Sequence, residues 1–473
     1  MKRIPNWCQL ILFLATITVC PFAQNRTFAK DSDSTAKKTP YRTRIPASKQ
    51  RSGDPDKGYK YLVEGDYIVS GIPIGLFSMA RPPGKNRLNR DGDQKALAYH
   101  YTAVTAPNGV RVVTSNCLRC HAQTLNGKFI VGLGNSTVDF TADRTATVGM
   151  VDTMISGMHG PDSPQRQAYK TLHDRFLLVS PLIQTKVRGV NPADNLAFVL
   201  GKHRNPETLE WIDEPSASPD SKKQAVIPTD VPALWLLKKK NALYYTASGR
   251  GDFARLMMAS SLLTLKDSSE AVEIDKNFAD VLAFMETLEA PKWPKKIEST
   301  KALRGEQVFK DECSRCHGTY GPDGEFPNYM IKLDTIKTDP TLSNWQNSVD
   351  SHSYSKSWFG KGPYAARLEP GNGYIAPPLD GIWATAPYLH NGSVPDLITL
   401  LNSKLRPRFW QRTFNTSDYD FKTIGWRYEN RESGGNTNIY DTTLPGYGNQ
   451  GHTFGDDLSE EDRQAVIEYL KTL

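Results

Sequence analysis

TSNCLRCHAQ, residues 114–123, sets two cysteines three apart with a histidine directly after the second, and DECSRCHGTY, residues 311–320, repeats the pattern in the far half of the chain. Cys117, Cys120, Cys313 and Cys316 all lie in these motifs, and the other two cysteines, Cys8 and Cys20, lie in or beside an N-terminal leader. No cysteine is left over for disulfides. Three chemistries use two thiols at this spacing. A redox dithiol has no need of the following imidazole. A zinc site needs four ligands gathered at one point. Covalent haem uses both thiols as thioethers and places the next residue, a histidine, on the iron. Two copies, each with its histidine, point to two covalently attached haem c groups, with His121 and His317 as proximal iron ligands.

The net charge of +7 is concentrated near the start of the chain. Residues 1–29 carry Lys2, Arg3 and Arg26 with no acid, and residues 30–60 carry nine Lys/Arg against four Asp. The body is therefore near neutral, which argues against a nucleic-acid partner. Lys2 and Arg3 precede the apolar run LILFLATITV, residues 10–19, which is too short to span a bilayer and suits a signal peptide with cleavage near Ala23 or Ala29. The expectation is a periplasmic or otherwise exported protein with no transmembrane span in the mature chain.

From these signals the chain divides into a signal peptide (1–29), a flexible basic tether (30–58), an N-terminal haem domain with inserts (59–290) and a C-terminal cytochrome c domain (297–473). The halves echo each other. IDKNFADVLAFMETLEAP, residues 274–291, repeats apolar residues at helical spacing up to Pro291, and LSEEDRQAVIEYLKTL closes the chain in the same way, with Ser459 and Asp462 as a capping box. Laid over each other, Val281 falls on Val466 and Leu282 on Ile467. Ahead of the second motif, TKALRGEQVFKDE reads as a helix with Leu303, Val308 and Phe309 inward and Gly305 where another helix can approach. Ahead of the first motif the chain is strand-like, as in GVRVVTSN. The fold class expected is mainly α with minor β, near residues 59–80 and 110–133, in two cytochrome c-like haem domains with long ordered loops.

What each iron does depends on its sixth ligand. His390, in GIWATAPYLHNGSVPDL, and His452, in LPGYGNQGHTFGDDLS, sit in Gly- and Pro-rich loops of the second half, and either can close the second haem. Met150, Met154 and Met158 recur at spacing four, as a packed helix face or as candidate ligands for the first haem. His159 and His173 are alternative groups near the first iron.

The stretches DVPALWLLKKKNALYYTASGRGDFARLMM, CSRCHGTYG, APPLDGIWATAPYLHNGSVPDL and GYGNQGHTFGDDLSEEDRQAVIEYLKTL resemble the dihaem c-type cytochromes related to rubber oxygenase. The APYLHNG segment is also similar to the bacterial dihaem peroxidases. The resemblance implies an open first haem at His121 that works on oxygen or peroxide, and a second haem at His317 that relays electrons. It implies His452 as the distal ligand of the second haem and His390 as a structural or propionate-side residue. It implies Trp235 and Phe253 as catalytic residues lining the distal side of the first haem. The partner would be a redox protein or a small-molecule oxidant. The chain is shorter than the rubber oxygenases, so polyisoprene is not carried over as substrate. A non-enzymatic electron carrier with both haems six-coordinate is the alternative.

Overall fold

In the computed structural model the described residues are 41–213, 225–349 and 351–473. The expected signal peptide and the start of the expected tether, residues 1–40, lie outside them.

Two helix pairs organise the rest. Asp54 caps the helix Pro55–Glu64 by accepting from the backbone N–H groups of Asp56 and Lys57, and Pro55 opens it without a hydrogen bond to lose. That helix packs on the long helix Ser268–Thr287, which buries Ile274, Phe278, Val281, Leu282 and Met285 as the periodicity requires. In the second half the helix Ser299–Glu312 packs in the same way on Glu460–Leu470. Ser459 caps the latter, accepting from the Asp462 N–H at 3.0 Å while its hydroxyl donates to the Asp462 carboxylate at 2.8 Å.

Each crossing turns on a glycine. A Cβ on Gly305 would stand 1.8 Å from the Ala465 carbonyl oxygen, and one on Gly58 would stand 1.9 Å from that of Asp280. Ala465 and Asp280 immediately precede Val466 and Val281, the residues that align between the halves. The echo between the closing helices therefore extends to the helices they pack on. Gly305→Val is expected to force the helices apart and to destabilise the chain by roughly 1–3 kcal/mol. Denaturant unfolding read by circular dichroism measures that loss.

Helix accounts for about 40% of the structure and strand for 13%, so the chain is mainly α with minor β. The strands are short. Tyr101–Thr105 and Arg111–Ser115 pair antiparallel, with Ile72–Pro73 on the far edge, and Ala122–Leu125 pairs with Lys128–Val131 directly after the first motif. Strand was therefore well placed at 110–133, while 59–80 contributes only the two-residue strand Ile72–Pro73. The latter stretch is chiefly the end of Pro55–Glu64 and the helix Ile74–Ala80.

The segment expected as a tether is corrected from Tyr41 onward. Arg42–Arg44 pairs with the strand Tyr329–Lys332, and Ile45 is buried beside Ala242, Ala247 and Ile375. Arg51 reaches Asp252 at 2.8 Å and Asp275 at 2.7 Å, and Asp275 also takes Arg255 at 2.9 Å. A basic composition suggested solvation, but strand pairing, the burial of Ile45 and the ion pairs of Arg51 hold the segment to the body. Leu303, expected inward, is 67% exposed, whereas Phe309 is fully buried. Among the described residues no helix is long and apolar enough to cross a membrane.

Candidate haem sites

Cys117, Cys120 and His121 share one helical turn, Leu118–His121, capped by Cys117. Cys313, Cys316 and His317 do the same on Ser314–His317, at the end of the helix Ser299–Glu312. All four thiols are free, and burial raises them, Cys313 to about 12. The cysteine and histidine side chains of both motifs are partly buried.

Each proximal imidazole meets a proline carbonyl. The Nδ1 of His317 lies 2.9 Å from the Pro377 oxygen. The Pro232 carbonyl faces His121 in the same sense but short of a well-formed hydrogen bond, so His121 Nδ1 is left without a good partner. A carbonyl at Nδ1 holds the proton there and leaves Nε2 as a lone-pair donor, as a metal ligand requires. Pro232-Ala-Leu234 and Pro377-Pro-Leu379 thus repeat, and the shared Pro-x-Leu was a signal present in the sequence. Burial also depresses both imidazole pKa values, His121 to about 4, so both rings are neutral at neutral pH.

The two motifs differ on the far side. His452 faces His317 with ring centroids 6.2 Å apart. A metal–nitrogen bond of about 2 Å on each side, plus the half-width of each ring, gives about 6 Å between centroids, so one iron fits between them. The loop that delivers His452 is tightly held. Its backbone lies in the left-handed region at φ 45°, its N–H donates to the Ile336 carbonyl, and Arg406 donates to the carbonyls of Asn449, Gly451 and His452. A non-glycine residue at such a φ marks an over-determined site. The Nδ1 of His452 has no partner among the described residues.

No second histidine ring pairs with His121 among the described residues. His100 lies between Tyr99 and Tyr101, His203 stacks on Trp211, His173 contacts Asp174, and His159 and His352 are exposed. His390 packs its ring flat on Tyr374, 4.1 Å away, with Tyr245 edge-on. It does not join His317 and His452, so its candidacy as a metal ligand is set aside. Met150, Met154 and Met158 are all exposed, because Val148 and Ile155 turn the opposite face of their helix onto Tyr169. They are neither a packed face nor ligands.

Trp235 is placed by the segment that follows Pro232. It lies three residues past Pro232, on the His121 side. Its indole edge is 3.6 Å from where a Cβ of Gly132 would stand, and Gly132 donates to the His121 carbonyl. Its Nε1 donates to the Asp380 carbonyl at 2.8 Å, three residues past Pro377. The indole therefore links segments that contact the two motif histidines. Phe253 is buried in the apolar cluster that contains Leu118 and Ala122.

Burial pushes the His390 imidazole down to about 4, against a weak opposing pull from Asp339. Unfolding lets the ring take a proton below about 6.5. The native state thus loses stability as pH falls from about 6.5 to 4, by about 1.4 kcal/mol per pH unit for this one site. His390→Gln is expected to flatten that limb by one proton, measured from urea midpoints across this range.

Residues 373–411, which hold both Pro377 and His390, match the family model described as RoxA-like, cytochrome c-like. That segment is therefore similar to RoxA-like cytochromes c, a kind of protein that carries covalently bound haem. Two curated proteins of Sinorhizobium fredii (strain NBRC 101917 / NGR234) are similar. The uncharacterized protein y4iM is 27% identical over 255 residues, which cover 47% of this chain and 56% of that protein. The uncharacterized protein y4iJ is 28% identical over 253 residues, which cover 39% of this chain and 41% of that one. The chain spans about half the length of the curated relatives it matches. Among the described residues, no group of three or more His, Cys, Asp or Glu side chains is arranged to hold a free metal ion.

Proposed function

We propose that the chain is an exported dihaem c-type cytochrome with oxidoreductase activity. Electrons pass between two covalently bound haems, with oxygen or peroxide chemistry at the first, on His121, and the second, on His317, as relay. The observation that carries this reading is the asymmetry of the imidazoles. His452 stands 6.2 Å across from His317, while no other histidine ring pairs with His121 among the described residues.

A covalently held haem supplies a redox iron that carries electrons and, where its sixth position is free, binds dioxygen or peroxide. The chain's own part is to hold and insulate. Pro377 keeps the proton of His317 on Nδ1. Arg406 and Gly451 fix the loop that presents His452. Phe253 and its apolar neighbours exclude water on the first-motif side. Trp235 links the two motif segments through Gly132 and Asp380, which supports a role between the redox centres. A redox protein or a small oxidant exchanges electrons with the second centre.

The test is the visible spectrum of the reduced, mature protein before and after carbon monoxide. A shift in about half of the haem supports one open iron. No shift favours a non-enzymatic carrier, and Met257 or Met258, which lie in the first motif's apolar cluster, would then be the ligands to examine.

A further inference from the structure

Three consecutive lysines follow Trp235, and they are treated unequally. Lys238 pairs with Glu289 at 2.5 Å and Lys239 with Asp380 at 2.7 Å, both at the surface or close to it. Lys240 turns inward and has no hydrogen bond or ion pair from its ammonium group among the described residues. Burial alone pulls its pKa down to about 8, and no acid opposes the shift. The side chain nevertheless keeps some accessible surface.

The segment that carries Lys240 runs beside both motifs. The Lys239 carbonyl and the Asn241 N–H are both held by the Asn328 side chain, at 3.0 and 2.7 Å. The Lys239 ammonium lies 5.0 Å from the centre of the Tyr320 ring, and Tyr320 donates to the His317 carbonyl. On the other side the same segment begins at Pro232, which faces His121. A lone ammonium group deep in a protein is costly unless an anion meets it. Haem c carries two carboxylates, and the polypeptide offers Lys240 none.

We propose that the Lys240 ammonium group is the counter-charge for a propionate carboxylate of bound haem c, and so a cofactor-positioning residue. The inference rests on the two-haem reading. An ammonium group beside a haem favours the ferrous state, because the ferric state adds a positive charge. Its neutral replacement therefore lowers the reduction potential of the haem it serves.

The experiment is a spectroscopic redox titration of holoprotein, for the wild type, Lys240→Gln and Lys240→Arg, with haem per chain counted beforehand. In Lys240→Gln one haem is expected to become about tenfold harder to reduce, about 59 mV for a one-electron couple, with the other unchanged. Lys240→Arg is expected to restore it. A shift in the carbon-monoxide-reactive wave assigns the propionate to the first haem, and a shift in the unreactive wave assigns it to the second. Two bound haems with both potentials unchanged in Lys240→Gln overturn the proposal. If Lys240→Gln fails to load haem, Lys240→Met is titrated in its place under the same criterion. A wild-type chain that binds fewer than two haems overturns the dihaem reading itself, and the count detects this before any titration.

Discussion

His452→Gly is expected to convert the second iron from a closed to an open centre, raising the carbon-monoxide-reactive fraction from about half of the haem to nearly all of it. Glycine is the informative replacement because position 452 sits at φ 45°, a conformation glycine adopts without strain. Any change then reports the lost imidazole and not a distorted loop. The surrounding supports do not involve the side chain: the N–H of residue 452 bonds Ile336, and Arg406 binds backbone carbonyls only. Added imidazole should return the second haem to its closed, low-spin state. His390→Gly, by contrast, is expected to leave both spin states untouched, since His390 stacks on Tyr374 away from the His317–His452 pair. Low-spin haem that persists in His452→Gly and vanishes in His390→Gly would reverse the ligand assignment.

Removing both thioether anchors of the second motif, in Cys313→Ala/Cys316→Ala, has the second large effect. Haem content measured after acid–acetone extraction should fall from two covalent groups per chain to one. The loss is also structural. Cys313 packs against the cluster formed by Phe309, Trp383, Tyr388, Val466 and Tyr469, so a missing haem leaves an apolar void where that cluster should close. Large-to-small changes in cores cost 2–5 kcal/mol each, and a void the size of a haem should exceed that, at about 5 kcal/mol or more. Because Ser299–Glu312 leads straight into the motif, its packing on Glu460–Leu470 should loosen as well. Unchanged thermal stability with a full haem count would contradict the motif reading at its root.

The parts of the structure that strong local signals specify were legible in the sequence. The helices Ser268–Thr287 and Glu460–Leu470 carry a clear 3.6-residue apolar repeat, and the second ends in the caps its residues call for. The glycine at 305 read correctly as a crossing point because it interrupts an otherwise good helix. Its counterpart at Gly58 was hidden. The helix Pro55–Glu64 is short and lysine-rich, and it lies far upstream of the motif it serves, beyond an inserted sheet. Composition made that segment look like a tether, while the cue that mattered was Asp54-Pro55 at its start and Gly65 at its end.

The sites were legible to a similar depth. The CxxCH residues carry their chemistry in their spacing. The proline carbonyls that orient His121 and His317 were missed, because a backbone oxygen leaves no trace in residue type beyond the repeated Pro-x-Leu. The methionine stripe misled for a physical reason. Its helix buries the face seven residues apart at Val148 and Ile155 and leaves the spacing-four face in solvent. Trp235 is buried, and its link to Asp380 left no trace in the sequence, because the indole meets a backbone oxygen.

The most direct measurement is the frozen-solution electron paramagnetic resonance spectrum of the oxidised holoprotein, with spins integrated against haem content. One high-spin and one low-spin ferric signal are expected in equal amounts, the low-spin signal disappearing in His452→Gly. Two low-spin signals in the unmodified protein would contradict this, because both irons would then be closed.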